Sequence, residues 1–337
     1  MRYRRFGRSD LEVSEVGFGV WTLASNWWGV VDDKQGMLHA ALDAGINFID
    51  TAPVYGEAGF GEELLADVLK TQREEIVLTT KCGYDIDAAR KYPGQSERPH
   101  DWEPVSVREQ LEASLRRLGT DYIDLYQLHN TRIEPIRSDG LWEELEKFRE
   151  EGKIRELGVA LGPAIGWVDE GLEALRNRDI VSLQTVFNVL EQEPGRTFEA
   201  EPAIADGRVG LISRVPHASD TLSGRITRDT EFPPEDHRSH RNRENMLDNF
   251  DKAETLDFLW QGTGRTVGQA AIAGILADPA FTTVLPTCVD VVDVREYAAA
   301  SELPLTDDEK ARLDELWTSN FGVTNRYEMP LKSSTGG

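Results

Sequence analysis

The sequence predicts an α/β chain closed into an eight-stranded barrel of βα units, and three observations carry that prediction. Short, almost wholly apolar runs alternate with longer amphipathic ones, the alternation occurs eight times, and no linker interrupts it. Strands apolar on both faces belong to parallel sheets covered on both sides, and repeated βα units build either a doubly wound sheet or a barrel. Eight units favour the barrel. Strands are expected at 16–19, 46–50, 76–81, 123–129, 154–160, 181–188, 209–215 and 283–287. Helices are expected near 33–44, 60–70, 105–118, 141–151, 165–177, 198–206, 248–260 with 266–277, and 290–300, several of them stopped by Gly45, Gly119 or Gly152. A further helix near 306–317 lies outside the eight units, and the 318–337 tail is expected to be partly flexible because it ends in KSSTGG. A doubly wound dinucleotide fold would open with G-x-G-x-x-G after its first strand. Here that strand runs into GFGVWTL, and GTGRTVG at 262–268 follows no strand. Residues 1–337 therefore read as one barrel domain.

Composition narrows the function. With 37 Lys+Arg against 60 Asp+Glu the net charge is -23, a field that repels phosphate backbones and anionic lipid. Neither nucleic acid nor a membrane is expected as a partner. The basic cluster Arg2, Arg4, Arg5 and Arg8 is followed by Asp10 and Glu12 and reads as a solvated edge. Only 9 of the basic residues are Lys. Carboxylate excess with few Lys suits a halophile's cytosol, where concentrated salt shortens the Debye length to about 3 Å and screens the repulsion. An ordinary acidic protein is the competing reading. No apolar run of signal-peptide length follows Met1, and the longest apolar stretch, AAIAGILA at 270–277, is far short of the roughly 20 residues of a membrane span. Cys82 and Cys288 make neither a disulfide framework nor a metal pattern, so a cytoplasmic protein without a bound metal is expected.

In a βα barrel the side chains at C-terminal strand ends converge on one rim. Asp50 ends the second strand, Tyr55 follows it, Lys81 ends the third and His129 ends the fourth. An ammonium beside the barrel interior needs a carboxylate, and Asp50 is the natural partner. Such a Lys would lower the Tyr55 pKa from its ordinary ~10 and make the phenol a usable proton donor and acceptor. His129 would orient a substrate oxygen or share the proton. Singly, each residue has a plainer reading, as loop anchor, turn packing or core histidine. Together, on consecutive strand ends, they read as a barrel enzyme working through Tyr, Lys and His. The long segments 83–104 and 216–247 each follow a strand and are candidate walls of the site. Trp21, Trp27 and Trp28 follow the first strand and either line an apolar substrate wall or pack beneath their loop. His237 and His240 sit among arginines and read as a solvated loop rather than metal ligands.

The stretches MRYRRFGRSDLEVSEVGFGVW, GINFIDTAPVYG and SLRRLGTDYIDLYQLH resemble the aldo-keto reductase superfamily, of bacterial or archaeal type, from about residue 1 to 316. The resemblance implies a (β/α)8 TIM barrel with an N-terminal hairpin and an extra C-terminal helix. It also implies NAD(P)H bound without a Rossmann fold and a tetrad of Asp50, Tyr55, Lys81 and His129. Hydride would pass between nicotinamide C4 and the carbon of an aldehyde, ketone or sugar while Tyr55 handles the proton. For the cofactor, Gln184 matches the family's carboxamide-binding Gln, and SRVPHASDTLSG resembles the loop around the pyrophosphate, which implicates Arg214, Leu222, Ser223 and Gly224. The family's Ser-Asn pair at the fifth strand end is replaced by Ala160 and Leu161. In PTCVDVVDVREY, Thr287 and Asp293 stand where NADP-preferring relatives carry Lys and Arg, while Glu296 matches an adenine-contacting Glu. A carboxylate repels a 2′-phosphate and accepts from a free ribose hydroxyl, so NAD is expected to be weakly preferred.

Two other readings compete. A desolvated Lys81 at a barrel strand end suits the Schiff base of a class I aldolase, and the same scaffold serves some relatives as a cofactor-bound regulatory subunit of ion channels. The acidic residues Glu231, Glu235 and Asp236 disfavour strongly anionic substrates. The oligomeric state is not legible.

Overall fold

In a computed structural model that describes residues 1–25, 28–90, 97–328 and 330–333, all eight apolar runs form parallel strands. A hairpin of β1 (Tyr3–Arg5) and β2 (Glu12–Ser14) precedes them, paired antiparallel with Tyr3 opposite Ser14. The barrel strands are β3 (Phe18–Gly19), β4 (Phe48–Asp50), β5 (Val77–Cys82), β6 (Ile123–His129), β7 (Ile154–Ala160), β8 (Ser182–Val186), β9 (Gly210–Arg214) and β10 (Phe281–Leu285). Each pairs with its sequence neighbours, and the ring closes where Val16 bridges Val284. Gly17 N donates to Val284 O at 2.9 Å and Val284 N donates to Glu15 O at 2.9 Å. Every residue of β5 and β6 is buried, as strands covered by side chains within and helices without must be.

The hairpin shuts one end of the barrel. Phe6 and Val13 pack with Phe48, Val77, Leu125, Val181, Ile212 and Leu285 in a cluster separate from the layer between sheet and helices. Gly7 makes this docking achievable: its φ is +55°, and a Cβ there would lie 2.5 Å from Arg208 O. The N-terminal arginines divide: Arg2, Arg5 and Arg8 are exposed, as a solvated edge requires, whereas Arg4 is partly buried and turned onto the barrel. Arg2 and Arg4 both pair with the buried Glu15, and Arg4 also donates to the carbonyls of Leu276, Asp278 and Phe281. A guanidinium with several donors satisfies helix-end carbonyls that would otherwise be orphaned.

The expected helices form around the barrel, some of them interrupted. The segment near 60–70 splits into Phe60–Glu63 and Ala66–Gln72, and the one near 198–206 into Gly195–Glu199 and Pro202–Ala205. Gly119, at φ +68°, ends the helix Pro104–Leu118, and the last helix, Asp307–Thr318, opens with a Thr306–Glu309 capping box. Beyond it the tail is tied down: the Arg326 guanidinium and backbone N–H both meet Asp248 at 2.8 Å, and Lys332 N donates to Ile165 O at 2.9 Å. The end of the tail, 334–337, lies outside the described residues. No helix among those described is long and apolar enough to cross a membrane.

Candidate active site

Because the hairpin closes one end, the strand ends at the other form the mouth. There a cavity of about 430 Å³ is lined by Trp21, Trp28, Asp50, Tyr55, His129, Gln184, Arg214 and Thr287, together with residues from both long loops. The four strand-end residues meet as expected. Lys81 Nζ lies 2.7 Å from Asp50 Oδ2, 2.8 Å from Thr51 O and 3.1 Å from the Tyr55 hydroxyl. The Tyr55 ring meets His129 edge-on at 5.8 Å and Trp21 at 5.1 Å. The short loop carrying Tyr55 is fixed from below, where Gly61 N donates to Tyr55 O and Thr51 Oγ1 to Gly61 O. Beneath it the buried Glu62 accepts from Thr80 and pairs with Arg117.

Electrostatics differ from expectation at Tyr55. Its pKa is raised, not lowered: burial disfavours the phenolate more than Lys81 favours it, and Asp50 adds to the rise. The sequence shows the neighbouring ammonium but not the depth of the site. Lys81 is raised overall; burial opposes its charge, yet Asp50 and Tyr55 outweigh it. Burial, with Lys81 and Arg214 nearby, holds His129 well below its ordinary value, so it is an uncharged imidazole at neutral pH.

The cofactor-associated residues divide into two groups. Gln184 is buried beside the tetrad, its amide 3.3 Å from Asp50 Oδ1, and Thr287 lines the same cavity. Leu222, Ser223 and Gly224 lie further along the loop after β9, where Ala218, Ser219 and Asp220 all take positive φ. A Cβ on Gly224 would meet nothing nearer than 4.0 Å, and the buried Thr221 Oγ1 has no partner. Open space beside an orphaned hydroxyl fits an elongated polar ligand such as a dinucleotide. Asp293 does not stand bare: Arg225 pairs with it and with Asp220, and Val289 N donates to it at 2.9 Å. A compensated carboxylate repels a 2′-phosphate less than the sequence argument assumed. Glu296 accepts from Thr266 Oγ1 at 2.6 Å. The end of β7 offers no polar side chain, as Ala160 and Leu161 are both buried aliphatics.

Several lining residues were missed by sequence reasoning. Tyr84 packs edge-on to His129 at 5.0 Å, and its hydroxyl meets Asn130 at 2.7 Å and Glu97. His100 stacks between Tyr84 and Trp102, and Gly83 (φ +116°) admits the indole, since a Cβ there would lie 2.0 Å from it. Tyr84 and Asn130 directly follow the ends of β5 and β6, so extending the strand-end rule by two residues would have found them. His237 corrects the solvated-loop reading. It lines the cavity, and burial, with Arg241 and His240, pulls it down to about 4. His240 is exposed as expected. No cluster of metal-ligating residues occurs among those described. Trp27 lies outside the described residues.

The structure thus gathers Tyr55, Lys81, Asp50 and His129 at the mouth of an eight-stranded βα barrel. The aldo/keto reductase family model matches residues 15–318, and the chain belongs to that family. The NADH-specific methylglyoxal reductase of Escherichia coli (strain K12) is 31% identical over 328 residues, covering 92% of this chain and 96% of its own. Among solved structures, the glycerol dehydrogenase of Gluconobacter oxydans is similar with a TM-score of 0.78 at 27% identity, over 97% of this chain and 99% of its own. The holo form of an aldo-keto reductase from Bacillus halodurans gives 0.74 at 30% identity, over 94% and 96%.

Proposed function

We propose that this oxidoreductase is an NAD(P)H-dependent carbonyl reductase and alcohol dehydrogenase of the cytoplasm, acting on a small aldehyde, ketone or sugar. One observation carries the reading: Lys81 Nζ bonds both Asp50 and the Tyr55 hydroxyl inside the cavity. A nicotinamide cofactor supplies the hydride when bound. Gln184, Leu222, Ser223, Gly224, Thr287 and Glu296 are the residues that would hold it, with Arg214 and Asp293 alongside. Tyr55 gives its proton to the carbonyl oxygen in reduction and takes one back in oxidation. Its raised pKa keeps the phenol protonated at neutral pH, the form a reductase needs. Lys81 holds the hydroxyl in place and stabilises the phenolate left behind, and uncharged His129 offers a hydrogen bond without adding a charge. Such acid–base work is worth roughly 10²–10⁴ in rate. Trp21 and Trp28 form the apolar side of the substrate pocket.

NADH is the mildly preferred cofactor in this reading. Support comes from the uncharged Thr287 and from the Escherichia coli relative, which is named as NADH-specific. The charge of -23 supports operation in concentrated salt. The Schiff-base alternative loses ground because the Lys81 ammonium is held by an ion pair and has a raised pKa, whereas a nucleophilic amine needs a depressed one. Titration of NADH and NADPH in molar salt, read by quenching of tryptophan fluorescence, tests the proposal. Binding of either at micromolar concentration is expected, with NADH the tighter; no binding of either refutes the reductase reading.

A further inference from the structure

Tyr55 reaches Lys81 from a turn after β4, so the distance between them depends on how that turn is held against β5. The 3.1 Å from the Tyr55 hydroxyl to Lys81 Nζ lies near the long end of the hydrogen-bond range, which closes at about 3.2 Å. A productive catalytic geometry tolerates errors of about 0.5 Å. Backbone bonds shape the turn itself: Tyr55 N donates to Ala52 O at 3.0 Å and Gly61 N to Tyr55 O at 2.8 Å. Its near end is anchored where Thr51 N donates to Thr79 O of β5 at 2.9 Å. Its far end is tied to the same strand through the residue after Gly61.

That residue is Glu62, on the short helix Phe60–Glu63, and its side chain is wholly buried. Oε1 accepts from Thr80 Oγ1 at 2.6 Å, and Oε2 accepts from Arg117 Nε at 2.7 Å. Thr80 directly precedes Lys81 on β5, and since side chains alternate along a strand it faces the helix layer while Lys81 faces the barrel interior. Arg117 comes from the helix Pro104–Leu118 and packs on the same turn at Gly59, where a Cβ would lie 2.4 Å from Arg117 Nε. One carboxylate thus joins the turn of Tyr55, the strand of Lys81 and a helix outside both.

Stability does not account for this arrangement. Burial raises the pKa of the Glu62 carboxyl even with Arg117 pulling it down, and a buried ion pair is often replaced by apolar side chains without loss of stability. Apolar packing is non-directional, whereas a carboxylate with a fixed donor on each oxygen sets both distance and direction.

We propose that Glu62 is a positioning residue for the proton transfer: acting from behind the sheet through Thr80, it holds the Tyr55 hydroxyl within hydrogen-bond reach of Lys81. This rests on the reading of Tyr55 as the proton donor of a reductase. Glu62, Thr80 and Arg117 do not line the cavity, so their influence passes through Tyr55 and not through contact with substrate or cofactor.

The test starts with Thr80→Val, which keeps the shape of the side chain and removes the donor while leaving Glu62 paired with Arg117. Its kcat for aldehyde reduction is expected to fall at least tenfold, with KM and NADH affinity within twofold of wild type. Alcohol oxidation needs the phenolate, and a phenolate further from Lys81 is less stabilised, so the pH midpoint of oxidation should rise by about one unit. Thr80→Ser, which restores the hydroxyl, should recover most of both effects. Glu62→Leu combined with Arg117→Met removes the ion pair as a unit with little loss of stability. It should show the same fall and the same shift, and it serves where Thr80→Val fails to fold. In protein isotopically labelled at tyrosine Cζ, the Tyr55 resonance, assigned by its loss in Tyr55→Phe, should move in Thr80→Val at neutral pH and return in Thr80→Ser. A wild-type kcat and pH midpoint in these variants, with an unmoved Tyr55 resonance, would overturn the proposal. So would a fall in kcat without a shift of the midpoint, which would make Glu62 a structural support only. A wild type that reduces no carbonyl with NADH or NADPH would refute the reductase reading, and the Tyr55 resonance would still decide the positioning.

Discussion

Lys81 and Arg214 occupy the same kind of position, a strand end at the mouth of one cavity, and the protein treats them in opposite ways. Lys81 on β5 is fully buried and meets Asp50, a backbone carbonyl and the Tyr55 hydroxyl. Arg214 on β9 is half-buried, and among the described residues its hydrogen bonds go to the carbonyls of Leu161 and Gly162. The compensated cation is in hydrogen-bond reach of the hydroxyl beside it. Location in the barrel selects which residues face the site, and the partners around each cation separate one held against a carboxylate and a hydroxyl from one held by carbonyl oxygens.

The comparison breaks most visibly at Tyr55. Tyr55→Phe should lower turnover by roughly 10²–10⁴ while nucleotide binding persists, because proton transfer and binding are separate contributions. Steady-state kinetics with a fluorescence titration would check it, and near-normal turnover would remove the assignment. Lys81→Met strands Asp50 in the interior and should cost about 3–5 kcal/mol of stability, measurable by denaturant unfolding, besides lowering activity. No borohydride-trapped adduct is expected in the wild type.

Acid sensitivity supplies a third test, from the loop on the Arg214 side. His217 is buried with its Nε2 3.2 Å from Gly268 O, and burial pulls its pKa from 6.5 to about 4. Between those values the unfolded chain takes up a proton that the folded one refuses. Stability is therefore intact above pH 6.5 and lost as pH falls toward 4, by about 3 kcal/mol from this group. A His217→Gln variant should show a flatter stability–pH profile over that window; an unchanged slope would mean that other groups carry it.

The smallest effect sharpens the cofactor side. Arg225→Ala leaves the Asp293 carboxylate without its cation, and the ratio of NADH to NADPH affinity should rise by about tenfold, or ~1.4 kcal/mol. Asp293→Asn should move it the other way. An unchanged ratio in both variants would place neither residue near the 2′ position.

The barrel was legible because its strands are uninterrupted apolar runs with glycines closing several of the helices between them, a pattern that short-range chemistry imposes. The grouping of Asp50, Tyr55, Lys81 and His129 was legible for the related reason that strand ends converge. Pairings between distant, non-periodic segments were not. Nothing in the sequence marks Arg225 as the partner of Asp293, or Arg4 as the cap of carbonyls near residue 278. The same holds for His237, since loop composition does not say which side chain turns inward. The sign at Tyr55 was misread because burial is a property of the whole fold, and there it outweighs the neighbouring ammonium.

The most direct measurement is a single turnover with NADH carrying deuterium at both C4 positions and a small aldehyde in excess. The account predicts one deuterium in the alcohol product, on the former carbonyl carbon, at a rate that collapses in Tyr55→Phe although that variant still binds NADH. Product without deuterium, together with a borohydride-trapped adduct on Lys81, would contradict the account and make the protein a lyase.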